Sequence, residues 1–114
     1  MLTDADITNA LGLVSYERQS ILHCSWRRPD GTPTGFSRTD GQPFPPFTTS
    51  ADAIIKELEI LGKEFSIAKH NNEYEVCFYN PALYGRSKTI AMALCEGFIE
   101  HQERIKRSLN VRPN

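Results

Sequence analysis

Between Pro46 and Ile105 the chain reads PFTTSADAIIKELEILGKEFSIAKHNNEYEVCFYNPALYGRSKTIAMALCEGFIEHQERI, and this stretch decides the fold. Thr49 and Asp52 have the spacing of a capping box, with Ser50 as an alternative cap. Ala51, Ile54, Ile55, Leu58 and Leu61 then recur at helical spacing, with Lys56, Glu57 and Glu59 on the remaining surface. Gly62 follows as a stop. The spacing predicts a helix from Ser50 to Leu61.

Glu64 to His70 and Glu73 to Tyr79 flank Asn71-Asn72. Asn tolerates the positive φ that a two-residue primed turn requires, so the pair predicts a hairpin. In that register Phe65 opposes Phe78, Ile67 opposes Val76, Lys69 opposes Tyr74 and His70 opposes Glu73. One face is then apolar (Phe65, Ile67, Val76, Phe78), and the other carries Ser66, Ala68, Glu75, Cys77 and Tyr79. Asn80-Pro81 ends the second strand and Gly85 closes a loop. Ser87 is the expected cap of a last helix, Ser87 to Arg107, whose stripe is Ile90, Ala91, Leu94, Cys95, Phe98 and Ile105. Gly97 inside it costs about 1 kcal/mol relative to Ala, which points to close packing on the sheet.

Upstream, Thr3 and Asp6 match a capping box, and Ile7, Ala10 and Leu11 predict a short helix from Asp4 to Leu11, ended by Gly12. This helix is expected over the far face of the sheet. From Ser20 to Arg28, Leu22, Cys24 and Trp26 alternate with polar residues. A strand is preferred there to a helix, because Pro29-Asp30-Gly31 follows as a turn. Thr34 to Arg38 returns as a short edge strand. Thr39 to Phe47, with Pro43, Pro45 and Pro46, reads as an extended loop tacked down by Phe44 and Phe47. The sum is one α+β domain, residues 1–109, around a three- or four-stranded antiparallel sheet, with a loose tail at 110–114.

The bulk numbers exclude more than they assign. A net charge of −1 gives no whole-molecule field to recruit nucleic acid or anionic lipid. No apolar run approaches the ~20 residues of a membrane span. The acidic start lacks the pattern of a secretory signal. Three cysteines, Cys24, Cys77 and Cys95, cannot all pair within one chain. Together these point to the cytoplasm.

No metal spacing, nucleophile elbow, paired-carboxylate motif or P-loop occurs, so neither an enzyme nor a cofactor is expected. Two binding readings stand beside the bland ones. Trp26, Arg27, Phe44 and Phe47 form an aromatic and Pro-rich contact region, against the alternative of a buried Trp26. Arg86, Ser87 and Lys88 at a helix N-terminus could hold the anion of a phosphate-bearing small ligand, against the alternative of a plain Ser cap with solvated bases.

Trp26-x-x-Pro29-Asp30-Gly31 and Pro46-Phe47-Thr48-Thr49-Ser50-x-Asp52-Ala53, with Ala91-Met92-Ala93-Leu94-Cys95 in the last helix, resemble small phage and prophage proteins that carry the phage ABA sandwich domain. The match spans roughly Trp26 to Glu100. It departs in a longer insertion between Gly31 and Pro46, and in the Asn71-Asn72 hairpin where the family has a Trp-centred one. The resemblance implies a three-layer α-β-α sandwich and a phage or prophage origin within a bacterial host cell. It implies no reaction. The expected role is therefore that of an accessory protein that binds a protein partner or itself, with the small phosphate-bearing ligand as the alternative.

Overall fold

The computed structural model describes residues 2–17, 24–38 and 41–110. The fold is α+β. In chain order the elements are α1 (Asp4–Ala10), β1 (Val14–Glu17), β2 (Cys24–Arg27), β3 (Pro33–Arg38), α2 (Ala51–Ile60), β4 (Phe65–His70), β5 (Glu73–Phe78), β6 (Leu83–Ser87) and α3 (Ile90–Asn110). They form two antiparallel three-stranded sheets, β1-β2-β3 and β4-β5-β6. Among the described residues no helix is long and apolar enough to cross a membrane.

The helices begin where their caps place them. Thr3 Oγ1 accepts from the Asp6 N–H at 3.2 Å, and the Asp6 carboxylate accepts from the Thr3 N–H at 2.9 Å. Ser50 Oγ caps α2 by accepting from the Ala53 N–H at 3.3 Å. Both helices end at a glycine with φ of +73°, Gly12 and Gly62, in the left-handed region where a Cβ is penalised.

The hairpin has the expected register. Phe65 pairs with Phe78, Ile67 with Val76, Lys69 with Tyr74 and His70 with Glu73. Asn71 supplies the turn with φ of +55°. Phe65 and Phe78 share a face, with ring centroids 5.8 Å apart. The 80–89 segment differs from expectation. Leu83–Ser87 is a third strand on β5, with Ser87 paired to Tyr74, so Ser87 caps nothing. The cap of α3 is Thr89, whose Oγ1 accepts from the Met92 N–H at 3.2 Å and whose C=O takes the first helical bond, from Ala93.

One core joins α1, α2, α3 and both sheets through Ile7, Trp26, Phe47, Ile54, Leu58, Val76, Phe78, Leu94 and Phe98. α3 packs on β5 and β6, and α2 packs on α3. These contacts are compatible with layered packing, but only α3 lies broadly on the hairpin sheet. Ile67 on β4 is accordingly 39% exposed, where burial was expected. α1 rests on α3, not on the far face of the sheet, and Ser66, Ala68, Tyr79 and Tyr84 there stay exposed.

The approach of α3 to β6 is a glycine contact. A Cβ on Gly85 would lie 2.8 Å from the Ala93 carbonyl oxygen and 2.9 Å from the Gly97 nitrogen. One on Gly97 would lie 2.7 Å from Cε2 of Phe78. Close packing at Gly97 is thus realised.

Candidate interaction surface

The aromatic residues expected as a contact surface are mostly core. Phe47 is fully buried, and Trp26 nearly so. Trp26 Nε1 donates to the Pro43 carbonyl at 3.1 Å, and its ring stacks on half-buried Phe44 at 5.5 Å. Phe47 meets Phe36 edge-on at 6.1 Å, and its carbonyl accepts from the Cys95 thiol. The N–H and hydroxyl of Thr48 both donate to Asp4 Oδ1, at 2.8 and 2.7 Å. The Pro-rich loop is therefore a strap across the body. Its rings pack into the core or against it. Arg27 sits half-buried at the turn, with Nη1 donating to the Gly31 carbonyl at 3.0 Å.

The phosphate reading loses its geometry. Successive residues of a strand point to opposite faces. Arg86 and Ser87 both lie in β6, so they cannot converge on one anion. Arg86 is on the exposed far face and donates to Glu75, its cross-strand partner, at 2.8 Å. Ser87 is on the helix side. Lys88 is exposed in the turn between β6 and α3. Arg86 and Ser87 are adjacent in sequence and on opposite faces of the strand.

A different concavity lies where the end of α1, the β2–β3 turn and the end of α2 meet. It has a volume of about 210 Å³, and Leu11, Leu13, Pro29, Ile60 and Leu61 supply apolar walls. Ile60 and Leu61 are 51% and 46% exposed, and Val14 is 54% exposed just beyond Leu13. Arg28, Asp30 and Glu57 complete the lining.

Glu57 was expected on the solvent side of α2. It is 3% exposed, because Arg28 reaches it with two parallel bonds, Nε to Oε1 at 2.8 Å and Nη2 to Oε2 at 2.9 Å. Nη1 of Arg28 donates in addition to the Pro33 carbonyl at 2.9 Å and to Thr32 Oγ1 at 3.3 Å. A planar guanidinium matched to a carboxylate in this way is the strong form of ion pair. The hydrogen bond to Glu57 raises the Arg28 pKa further. The turn itself is fixed by Asp30, which accepts from the N–H and hydroxyl of Thr32 at 3.0 and 2.7 Å. Those bonds hold its carboxyl below the usual range.

Sequence reasoning missed this cleft. One signal was available: Ile60 is an apolar residue off the core stripe of α2, beside Glu59, where solvation favours a polar side chain. The Arg28–Glu57 pair had no comparable signal, since 29 residues separate the partners.

Two further reactive side chains are buried. Cys95 is buried, and burial pushes its thiol up to about 12, so the thiolate is negligible at neutral pH. His101 is buried against Phe78, with ring centroids 5.4 Å apart, and its Nε2 lies 3.0 Å from the Tyr79 carbonyl oxygen. Burial, and then the charge of Lys63, lower its pKa. Among the described residues no group of three or more His, Cys, Asp or Glu side chains is placed to hold a metal. Comparison with family models, with curated proteins and with solved structures returns no match.

Proposed function

We propose that the protein is a phage or prophage accessory protein that works by binding another protein, with the cleft between the β2–β3 turn and the C-terminal end of α2 as its contact surface, and that it catalyses no reaction. The observation that carries the binding reading is the exposure of Ile60 and Leu61 at the mouth of an apolar concavity whose floor is a satisfied ion pair. Large apolar side chains left in water around a concavity are the usual mark of a partner's anchor site. Arg28 and Glu57 spend their hydrogen bonds on each other and on the turn, and Asp30 accepts from Thr32, so the lining is mainly apolar shape with one exposed carboxylate. The fitting occupant is an apolar anchor side chain from an exposed segment of a partner. The phage assignment rests on the resemblance carried by the Trp26-to-Gly31, Pro46-to-Ala53 and Ala91-to-Cys95 motifs.

A photo-crosslinking amino acid at position 60, in lysate of the bacterial host, tests this. The expected result is one recurrent cross-linked protein that also binds the unmodified chain, and whose binding is lost in Leu61→Asp with the fold intact by circular dichroism. A cross-linking pattern that Leu61→Asp leaves unchanged would refute the cleft.

A further inference from the structure

Among the described residues β4 is an edge strand, with β5 as its one neighbour. Residues 66–70 of it are exposed, and it contains neither Pro nor Gly. The Glu64 carbonyl accepts from the Tyr79 N–H at 3.3 Å, which marks Glu64/Tyr79 as a hydrogen-bonded pair. In an antiparallel ladder such pairs alternate. Ser66, Ala68 and His70 therefore spend their backbone groups on β5. Phe65, Ile67 and Lys69 turn theirs to the open edge. A row of unpaired N–H and C=O groups of this kind is a template for another strand.

The strand is also complementary to its own reverse. Glu64 stands at one end and His70 at the other, on the same face, so an antiparallel copy sets a carboxylate beside an imidazole at both ends and brings no like charges together. We infer that β4 pairs with β4 of a second copy about a twofold axis at Ile67, joining two hairpin sheets into one six-stranded sheet. In this register Ile67 faces Ile67 of the second copy, Phe65 faces its Lys69, Ser66 faces its Ala68, and Glu64 faces its His70. All three outward residues find hydrogen-bonding mates, giving about six new backbone bonds.

The alternatives are poorer. Sliding one strand by two residues shortens the overlap, and sliding it by four in one direction sets Lys69 against Lys69, a like-charge pair. Ile67, which α3 leaves exposed, gains an apolar neighbour at the axis, and the slide that sets it against Phe65 of the second copy instead also sets Lys63 against Lys69. The surface shares no residue with the cleft of the proposed partner, so the two readings stand or fall separately.

Sedimentation of the full chain over a wide concentration range tests the inference. A single edge pairing is a small interface, so a weak and reversible monomer–dimer equilibrium is expected. Ile67→Pro should weaken association at least about tenfold, because proline there deletes an outward N–H and no bond of the β4–β5 ladder. Ile67→Lys, which sets two ammonium groups across the axis, should do the same with no backbone change. Oxidation of Ile67→Cys should yield a covalent dimer, since hydrogen-bonded cross-strand positions about 5.5 Å apart are within disulfide reach. Wild-type protein that stays monomeric at roughly millimolar concentration, or Ile67→Lys that associates as wild type does, would overturn the pairing.

Discussion

Substituting alanine at the two glycines that join β6 to α3 separates a rigid clash from a yielding one. At Gly97 a new Cβ would lie 2.7 Å from Cε2 and 3.1 Å from Cδ2 of Phe78. Carbons pack comfortably at about 3.5 Å, so the ring must give by roughly 0.8 Å. Phe78 is fully buried between Phe65 and His101, which leaves it little room. Overpacking of this kind costs about 1–3 kcal/mol, and replacing a mid-helix glycine recovers about 1 kcal/mol, for a net loss of about 0–2 kcal/mol. At Gly85 the obstacles are backbone: the Ala93 oxygen at 2.8 Å and the Gly97 nitrogen and Cα at 2.9 and 3.0 Å. No rotamer relieves them, so α3 itself must move. The cost lies at or above the upper end of that range, offset by only about 0.5–1 kcal/mol of strand preference. Gly85→Ala should therefore lose about 2 kcal/mol or more and be the worse of the two. Urea unfolding at constant m reads both. Phe78→Leu adds the decisive comparison, because a smaller side chain makes room for Gly97→Ala but not for Gly85→Ala. The double-mutant coupling should be favourable, about 0.5–2 kcal/mol, for the first pair and near zero for the second. A Gly85→Ala protein as stable as wild type, or equal coupling in both cycles, would refute the backbone-to-backbone approach.

Other perturbations follow from the same contacts. Phe78→Ala should cost about 3–5 kcal/mol, and an unchanged urea midpoint would remove Phe78 from the core. Arg28→Met strands Glu57 in a site 3% exposed and should cost about 3–5 kcal/mol; Arg28→Met/Glu57→Met should recover much of that, and a double variant as unstable as the single one would show that the pair contributes more than mutual neutralisation. Burial holds His101 below its ordinary value of 6.5, so the unfolded chain binds the proton more readily. Its contribution is whole above about pH 6.5 and is lost as pH falls towards the lowered value, so unfolding midpoints should decline from about pH 8 to about pH 5, less steeply in His101→Phe. An equal decline in that variant would clear His101 of the effect. Nucleotides should leave the melting temperature unmoved, whereas a ligand at ~100 times its Kd adds about 2.7 kcal/mol; a shift abolished by Arg86→Ala/Lys88→Ala would restore the phosphate reading.

The legible parts of this chain are those whose signals sit within one turn or one hairpin. Thr3–Asp6, Ser50, Gly12 and Gly62 bound their helices through contacts three or four residues apart, and Asn71-Asn72 sets the β4–β5 register without reference to anything distant. Gly97 betrayed close packing because a glycine there works against helix propensity. β1 and β6 were not foreseen. Each is short and gains its hydrogen bonds from a neighbouring strand, so nothing in Val14–Glu17 or Leu83–Ser87 alone specifies extension. Once Leu83–Ser87 joins β5, the start of α3 moves to Ile90, and the phosphate site is lost with Ser87 as a cap.

Local sequence thus determined the α+β class, the hairpin and its apolar face, and the helices with their stops, because short-range hydrogen bonds and periodicity act before the chain is folded. Tertiary structure decided what each polar or aromatic residue is for. It buried Trp26 and Phe47, which composition offered as a surface, and it drew Glu57 inward by giving it Arg28 from 29 residues away. It also left Ile60, Leu61 and the edge of β4 uncovered, because three helices do not reach both faces and both edges of two sheets. Burial belongs to the whole packed chain. No window of residues carries it.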